Sequence, residues 1–333
     1  MKKYVAYGIG AALVDTEIKV TDEELAAMQV DKGMMTLVDE ARQAQLLAHL
    51  EGHLVKASHA SGGSAGNSMI ATAQFGGPTF MSCKVAADAD GDIYLADLAA
   101  AGVDHGLNGA RAPGTTGKCL VLITADAERS MNTFLGVSET LSTAELDPEA
   151  IAASEYLYIE GYLVTSPTGL AAAVKAREIA QAAGVKTSLS FSDPGMVEFF
   201  REGMAQIVGD GLDLVFCNEA EALGWGDTDN LDVAIEKLKR VARTFVITRG
   251  AAGALTWDGE ELADIPPHKV HAVDSNGAGD MFAGAFLYAI TRGEDFPTAG
   301  RFASLAAGKI VANYGPRLAA ADYPALRAEF FGD

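Results

Sequence analysis

The stretch that most narrows what this chain can fold into is residues 281–290, Met-Phe-Ala-Gly-Ala-Phe-Leu-Tyr-Ala-Ile, which carries no charge. A helix apolar on nearly every side is buried, not laid on a surface, and Thr291-Arg292-Gly293 closes it with Gly as the C-terminal stop. Just ahead runs Val273-Asp274-Ser275-Asn276-Gly277-Ala278-Gly279-Asp280, a flexible turn opening onto that helix's N-terminus. Its two glycines let backbone N–H groups converge without Cβ obstruction, and the helix dipole adds partial positive charge there. Such a place favours an anion, and phosphate is the usual one. At its mouth the Asp280 carboxylate is placed to take a proton from a hydroxyl attacking phosphorus. An Asp near a helix start is most often a plain N-cap. Here a second acid, Asp274, brackets the turn, and the helix behind is too apolar for a surface element.

The rest of the chain alternates. Strands are expected over 4–7, 79–85, 156–159, 186–191, 213–217 and 244–248, with helices over 90–101, 168–183 and 232–242. Strands separated by helices imply a mainly parallel sheet with helices on both faces. Ligands of such sheets sit off the carboxyl ends of the strands, where Asn218 to Glu221 and Thr248-Arg249-Gly250 fall. Residues 11–58 and 115–136 are instead rich in short strands. They comprise 12–20 with Asp15 near its start, 34–38, 54–57, and a hairpin of 118–124 and 129–135 turning at 126–128. Helices are expected after Thr21, by its capping box with Glu24, and over 39–50. Those two regions are read together as a small β-rich lid on a single domain spanning 1–333. Ser61-Gly62-Gly63-Ser64-Ala65-Gly66-Asn67 is a second glycine-rich loop, expected to open a helix over 67–75.

Composition sets outer bounds. The net charge of −20 argues against nucleic acid or an anionic membrane as partner, though not against a small anionic substrate. No run reaches the ~18 apolar residues of a membrane span, and the N-terminus lacks the pattern of a signal peptide. Cys83, Cys119 and Cys217 offer neither metal spacing nor a disulfide framework, which suits a reducing, cytoplasmic setting. Gly8-Ile9-Gly10 after the first strand suggests a dinucleotide site, but Leu13 stands where the third glycine belongs. A dehydrogenase is therefore disfavoured.

The Asp274–Asp280 motif, Gly62-Gly63-Ser64-Ala65-Gly66-Asn67 and Asn218-Glu219-Ala220-Glu221 together resemble the ribokinase-like (PfkB-type) family of small-molecule kinases. Within it, Gly8-Ile9-Gly10 with Asp15, Thr116-Gly117-Lys118-Cys119 and Arg129-Ser130 are most similar to the adenosine kinase branch. The resemblance implies a ribokinase-like three-layer α/β fold and transfer of the ATP γ-phosphoryl group to a nucleoside 5′-hydroxyl, adenosine to AMP. ATP and Mg²⁺ are the implied cofactors; a monovalent cation is admitted, and monomer and homodimer both stay open. Carried over residue by residue, Asp280 becomes the base and Gly277, Ala278 and Gly279 the anion hole. Arg129 reaches the phosphates from the lid. Asp15 holds the sugar hydroxyls, with Gly63, Ser64 and Asn67 around the ribose. Asn218, Glu221, Thr248 and Gly250 take the nucleotide side, Glu221 meeting the metal through water. Met35, Met131 and Leu135 offer a flat apolar wall. The chain departs from adenosine kinases at Ala11, where Asn is usual, and at Asp193-Pro194-Gly195, which brings no aromatic. A sugar kinase or another nucleoside kinase is the alternative. A silent nucleoside-binding module is a further one, against which every named catalytic element is intact.

Overall fold

The structure, a computed structural model, describes residues 2–52, 58–107, 111–126 and 128–332. In chain order its strands are β1 (Tyr4–Ile9), β2 (Leu13–Lys19), β3 (Met35–Leu37), β4 (Ser58–Gly62), β5 (Thr79–Ser82), β6 (Val103–His105) and β7 (Gly117–Ile123). There follow β8 (Arg129–Phe134), β9 (Ser154–Glu160), β10 (Lys186–Ser190), β11 (Leu212–Asn218), β12 (Ala242–Thr248), β13 (Ala254–Trp257) and β14 (Leu262–Ile265). Nine form the main sheet in the order β14-β13-β12-β11-β10-β9-β1-β5-β6, and five form a second sheet, β3-β8-β7-β2-β4. The main sheet is parallel from β12 to β6, with β13 and β14 added antiparallel at one edge.

Strand side chains point alternately to opposite faces, and here both faces are apolar. Ala6, Tyr156, Tyr158, Leu214, Phe216 and Val246 enter one core with the buried helix Ala278–Thr291. Tyr7, Ile9, Leu157, Ile159, Val215, Cys217, Phe245 and Ile247 enter the other, against the helix Pro167–Ala182 and its neighbours. The result is three layers, as the alternation of strands and helices predicts. The second sheet buries Ile18, Leu120 and Leu122 under the helices Asp22–Ala27 and Glu40–His49. Its opposite face presents Leu13, Cys119, Val121, Met131 and Leu135. Both expected helix starts hold, Thr21 with a capping box to Glu24 and Asp39 as N-cap.

Several expectations change. β4 runs through Gly62, and the helix expected from 67 begins at Ser64 (Ser64–Gln74), so Asn67 lies inside a helix and is no cap. Only Gly63, at φ +88°, makes the turn; Gly66 is glycine because a Cβ there would sit 2.7 Å from the Tyr94 hydroxyl. Small residues that read as a loop are in fact a helix packed close to its neighbours. The helix expected over 232–242 stops at Leu238, since Ala242 already pairs with Leu212 in the sheet. Gly8-Ile9-Gly10 is no dinucleotide turn, because the element after β1 is β2 and not a helix. A Cβ at Gly8 would meet the Met69 side chain at 2.5 Å. The expected strand over 54–57 and Ala127 of the expected turn lie outside the described residues. Two C-terminal helices that the pattern left unassigned, Phe296–Val311 and Asp322–Phe331, pack Phe302, Phe330 and Phe331 together. Among the described residues no helix is long and apolar enough to cross a membrane.

The buried helix Ala278–Thr291 crosses Ser64–Gln74 closely, with the Thr72 hydroxyl donating to the Gly284 carbonyl at 3.0 Å. A Cβ at Gly284 would lie 2.6 Å from the Ser68 carbonyl oxygen and 2.7 Å from the Ala71 Cβ. Gly284→Ala is therefore expected to lower stability by roughly 1–3 kcal/mol through overpacking. Urea unfolding checks this, and an unchanged midpoint would show that the crossing is looser than described.

Candidate active site

Chain order along the main sheet runs from β1 through β5 to β6 in one direction and from β9 to β12 in the other. Connections therefore diverge between β1 and β9, and the crevice off their carboxyl ends is where such sheets bind ligands. A cavity of about 320 Å³ lies there, roofed by the second sheet. That is the scale of a small-molecule site, typically about 300–1,000 Å³. Asp15, Met35, Gly63, Ser64, Asn67, Arg129, Met131, Leu135, Asn218, Glu221, Thr248, Gly277, Ala278, Gly279 and Asp280 all line it. Gly250 does not. β12 ends at Thr248, and the chain turns away through Gly250–Ala252 to begin β13, with Arg249 N–H donating to the Gly253 carbonyl.

The buried helix starts at Ala278 and points its N-terminus into the cavity edge. Gly277 takes φ +70°, and a Cβ there would sit 2.4 Å from the Pro316 carbonyl, so the backbone itself demands glycine. Gly279 is different: nothing lies within 4 Å of its Cβ position. Next to it, Asp280 accepts from the Ser64 hydroxyl at 2.6 Å and from Asn67 Nδ2 at 3.1 Å. Burial pushes the Asp280 carboxyl above its ordinary value, opposed by those two hydrogen bonds. The other end of the Asn67 amide, Oδ1, is buried without a partner among the described residues and can accept from a ligand.

Asp15, on β2, is only 7% exposed. It is no solvated strand residue: burial, reinforced by the nearby Glu17 charge, pushes its carboxyl up to about 7. Gly62 of the paired strand makes room for it, since a Cβ there would lie 2.1 Å from Asp15 Oδ1. Glu160, at the end of β9, was not singled out by the sequence, where it is one acid closing an apolar strand. Its Oε1 accepts from Ala11 N–H at 3.2 Å and its Oε2 from Ala65 N–H at 2.8 Å, while burial lifts it to about 7. Glu221 and Asn218 form a capping box at the start of Glu219–Gly226. Both Glu221 oxygens accept from Asn218, from its N–H at 2.9 Å and its Nδ2 at 2.7 Å, and burial lifts the carboxyl to about 8.

Among the described residues no group of three or more His, Cys, Asp or Glu side chains is placed to hold a metal. Mg²⁺ carried on phosphate would need only one or two protein carboxylates, because that ion keeps several waters. Glu221, lining the cavity with both oxygens engaged, suits contact through water.

Arg129 reaches from β8 to the turn before the buried helix. Its Nη1 donates to Asn276 Oδ1 at 2.8 Å and its Nε to Ser275 Oγ at 3.3 Å, with Asp274 at 3.6 Å. Asp274 is fully buried and accepts from the N–H groups of Asn276 and Gly315. The apolar wall is present as Met131 and Leu135 beside Ala11, Leu13 and Cys119. Stretch 193–195 brings no aromatic, whereas Tyr162 of Gly161-Tyr162-Leu163, Phe216 and Phe282 line the cavity. Asp193 caps the helix Pro194–Phe199 through Gly195 N–H.

Residues 18–322 match the pfkB family of carbohydrate kinases. An adenosine kinase from Schizophyllum commune is 29% identical over 328 residues, covering 89% of this chain and 91% of its own length. Among solved structures, adenosine kinase from Sinorhizobium meliloti is similar with a TM-score of 0.92 at 32% identity, covering 98% of this chain and 99% of that one. A protein from Rhizobium etli described as a probable sugar kinase gives a TM-score of 0.93 at 31% identity, covering 100% and 99%.

The buried acids carry a pH signature. Asp15, Glu160 and Glu221 titrate at about 7, 7 and 8 in the fold, against ordinary values of 3.8, 4.5 and 4.5. The folded state then holds protons that the unfolded chain has released. Stability from these groups is complete below their ordinary values and is lost as pH rises through 7 to 8. Asp15→Asn is expected to stabilise the ligand-free protein by roughly 2–4 kcal/mol at pH 8 while changing little near pH 4. Urea midpoints at the two pH values test this, and a destabilised variant at pH 8 would reverse the assignment.

Proposed function

The chain belongs to the pfkB family of carbohydrate kinases, phosphotransferases with an alcohol group as acceptor, and we propose that it transfers the ATP γ-phosphoryl group to the 5′-hydroxyl of a purine nucleoside, adenosine foremost. The observation that carries the reading is the pair Gly279–Asp280 on the first turn of the buried helix. One residue leaves open space beside the converging amides, and the next brings a clamped carboxylate to the same cavity.

Phosphoryl transfer needs positioning and charge stabilisation more than covalent help. In this reading the amides of Gly277, Ala278 and Gly279 receive the charge on the moving phosphoryl group, and Arg129 adds a cation from the lid formed by the second sheet. Asp280, with Ser64 and Asn67 fixing its two oxygens, takes the proton of the attacking hydroxyl. Asp15 and the free Asn67 Oδ1 accept from the sugar hydroxyls, beside Gly63. The wall of Leu13, Met35, Met131 and Leu135 suits the flat face of a base. Asn218, Glu221 and Thr248 take the nucleotide side, and Mg²⁺ on the ATP phosphates supplies charge neutralisation when bound. The relatives named adenosine kinase support the nucleoside. A sugar acceptor is the second reading, favoured by Ala11, which supplies no side-chain amide, and by the likeness to the Rhizobium etli protein.

Turnover decides the acceptor. ADP release from MgATP with adenosine, inosine, guanosine, cytidine, ribose and fructose 6-phosphate is expected to be fastest with adenosine. A sugar as the best substrate would transfer the assignment, and no turnover with any would favour a binding module. Asp280→Asn is expected to lower kcat at least about 100-fold while nucleoside binding persists, as for loss of a general base; activity above a few per cent of normal would remove that role. Gly279→Val is expected to fold normally yet lose about 100-fold or more in kcat, as when an anion-hole donor is lost. Normal turnover in that variant would contradict the anion hole.

A further inference from the structure

We propose that Glu17 is a positioning residue for phosphoryl transfer, acting through the Asn276 amide to aim the Arg129 guanidinium at the anion turn. The inference rests on the reading of Arg129 as the cation that faces the phosphoryl group.

Glu17 lies on β2 two residues beyond Asp15, so both project from the same face of the strand. Asp15 lines the cavity and Glu17 does not. Glu17 Oε1 instead accepts from Asn276 Nδ2 at 2.9 Å, joining residues 259 apart in sequence. At its other end the same amide, through Oδ1, accepts from Arg129 Nη1 at 2.8 Å. An amide carries a donor end and an acceptor end, and the neighbours decide which way it points. Here the carboxylate demands the NH₂ group and the guanidinium demands the oxygen. The reversed amide would set oxygen against carboxylate and NH₂ against guanidinium, two repulsive contacts in place of two hydrogen bonds. Glu17 thus fixes the Asn276 amide in the orientation that offers Arg129 an acceptor.

The consequence falls on the one cationic side chain that lines the cavity among the described residues. Arg129 comes from the second sheet, whereas the turn it touches belongs to the main sheet's helix layer. Its other anchors are weaker, Ser275 Oγ at 3.3 Å and the Asp274 carboxylate at 3.6 Å. Without Glu17 only Arg129 itself holds the Asn276 amide, and the guanidinium lies in the field of the cavity's own carboxylates, Asp15 and Asp280. Asn276 N–H stays on Asp274 in either case, so the turn's backbone is held independently of Glu17. The loss then appears in the aim of Arg129 and not in the fold of the turn.

The test is a kinetic cycle with MgATP and whichever panel acceptor the wild-type enzyme turns over fastest. Glu17→Ala is expected to lower kcat about tenfold with the acceptor KM changed by less than about twofold, since an interaction made mainly in the transition state is lost. Glu17→Met, of similar length without an acceptor, should behave the same if the alanine variant folds poorly. Glu17→Gln keeps an oxygen for Asn276 Nδ2 and is expected to restore kcat to within about twofold of wild type. In an Arg129→Ala background, Glu17→Ala should cost nothing further, because coupled residues are not additive. Additive losses, failure of the glutamine to rescue, or a change confined to KM would overturn the inference while leaving Arg129 in place. Should Arg129→Ala itself leave kcat unchanged, the reading of Arg129 falls, and this inference falls with it.

Discussion

A single buried carboxylate, Glu160, holds together the segments from which the cavity is built. Taking such a group out of water costs several kcal/mol unless hydrogen bonds replace the lost hydration. Here each oxygen takes one backbone N–H, from Ala11 as the chain leaves β1 for β2 and from Ala65 in the first turn of Ser64–Gln74. The acid therefore sits at a helix N-terminus, where the dipole favours negative charge. It also fixes the approach of β1, because any side chain at Gly10 would come within 2.4 Å of Oε2. Helix Ser64–Gln74 then delivers Ser64 and Asn67 to Asp280, and β2 delivers Asp15 to the same cavity.

An electrostatic burden follows from this construction. Asp15, Glu160, Glu221 and Asp280 line the cavity against one guanidinium, Arg129, in a chain of net charge −20. Burial raises all four acids. Hydrogen bonds to Asp280, Glu160 and Glu221 oppose that rise without cancelling it, so desolvation is the larger effect. A polyanionic substrate entering such a field needs compensation, and the chain provides three kinds. Helix Ala278–Thr291 presents its N-terminus, Arg129 bridges from the second sheet, and in the proposed reading the Asn218–Glu221 pair meets a hydrated divalent cation. Stability surrendered in burying acids is consistent with the proposed chemistry, in which the site binds hydroxyls and moves a proton.

What the sequence made legible was local. Asp274 to Asp280 lie within one turn and a helix start, so their glycines, acids and apolar sequel could be read together. The alternation of strand and helix patterns likewise gave the layered sheet, because each period is set by near neighbours. Contacts across long separations were not legible. Glu160 meets Ala11 from 149 residues away, Glu17 meets Asn276 from 259, and Gly315 meets Asp274 from 41. No spacing rule marks such partners, and an isolated acid in an apolar strand is the only trace Glu160 leaves. Small residues misled in the opposite sense: Ser64, Ala65 and Gly66 read as loop, whereas they open a helix in which Gly66 lies close against the Tyr94 hydroxyl. Gly250 lies outside the cavity lining, in a turn that nothing local in the sequence marks.

Two glycines within three positions separate what the fold requires from what the chemistry requires. Gly277 answers to the backbone, through a positive φ and the Pro316 carbonyl at 2.4 Å from a would-be Cβ. Gly279 answers to neither: its position is unobstructed, and its φ is not in the left-handed range. A glycine inside a helix forfeits roughly 0.5–1 kcal/mol relative to alanine, and packing at Gly279 returns none of it. What glycine secures there is unhindered access to an amide at the helix N-terminus, beside a carboxylate whose two oxygens are already fixed by Ser64 and Asn67. A residue that weakens the fold while clearing space at that amide is what the proposed anion hole calls for, since the partial positive charge of a helix end favours an anion.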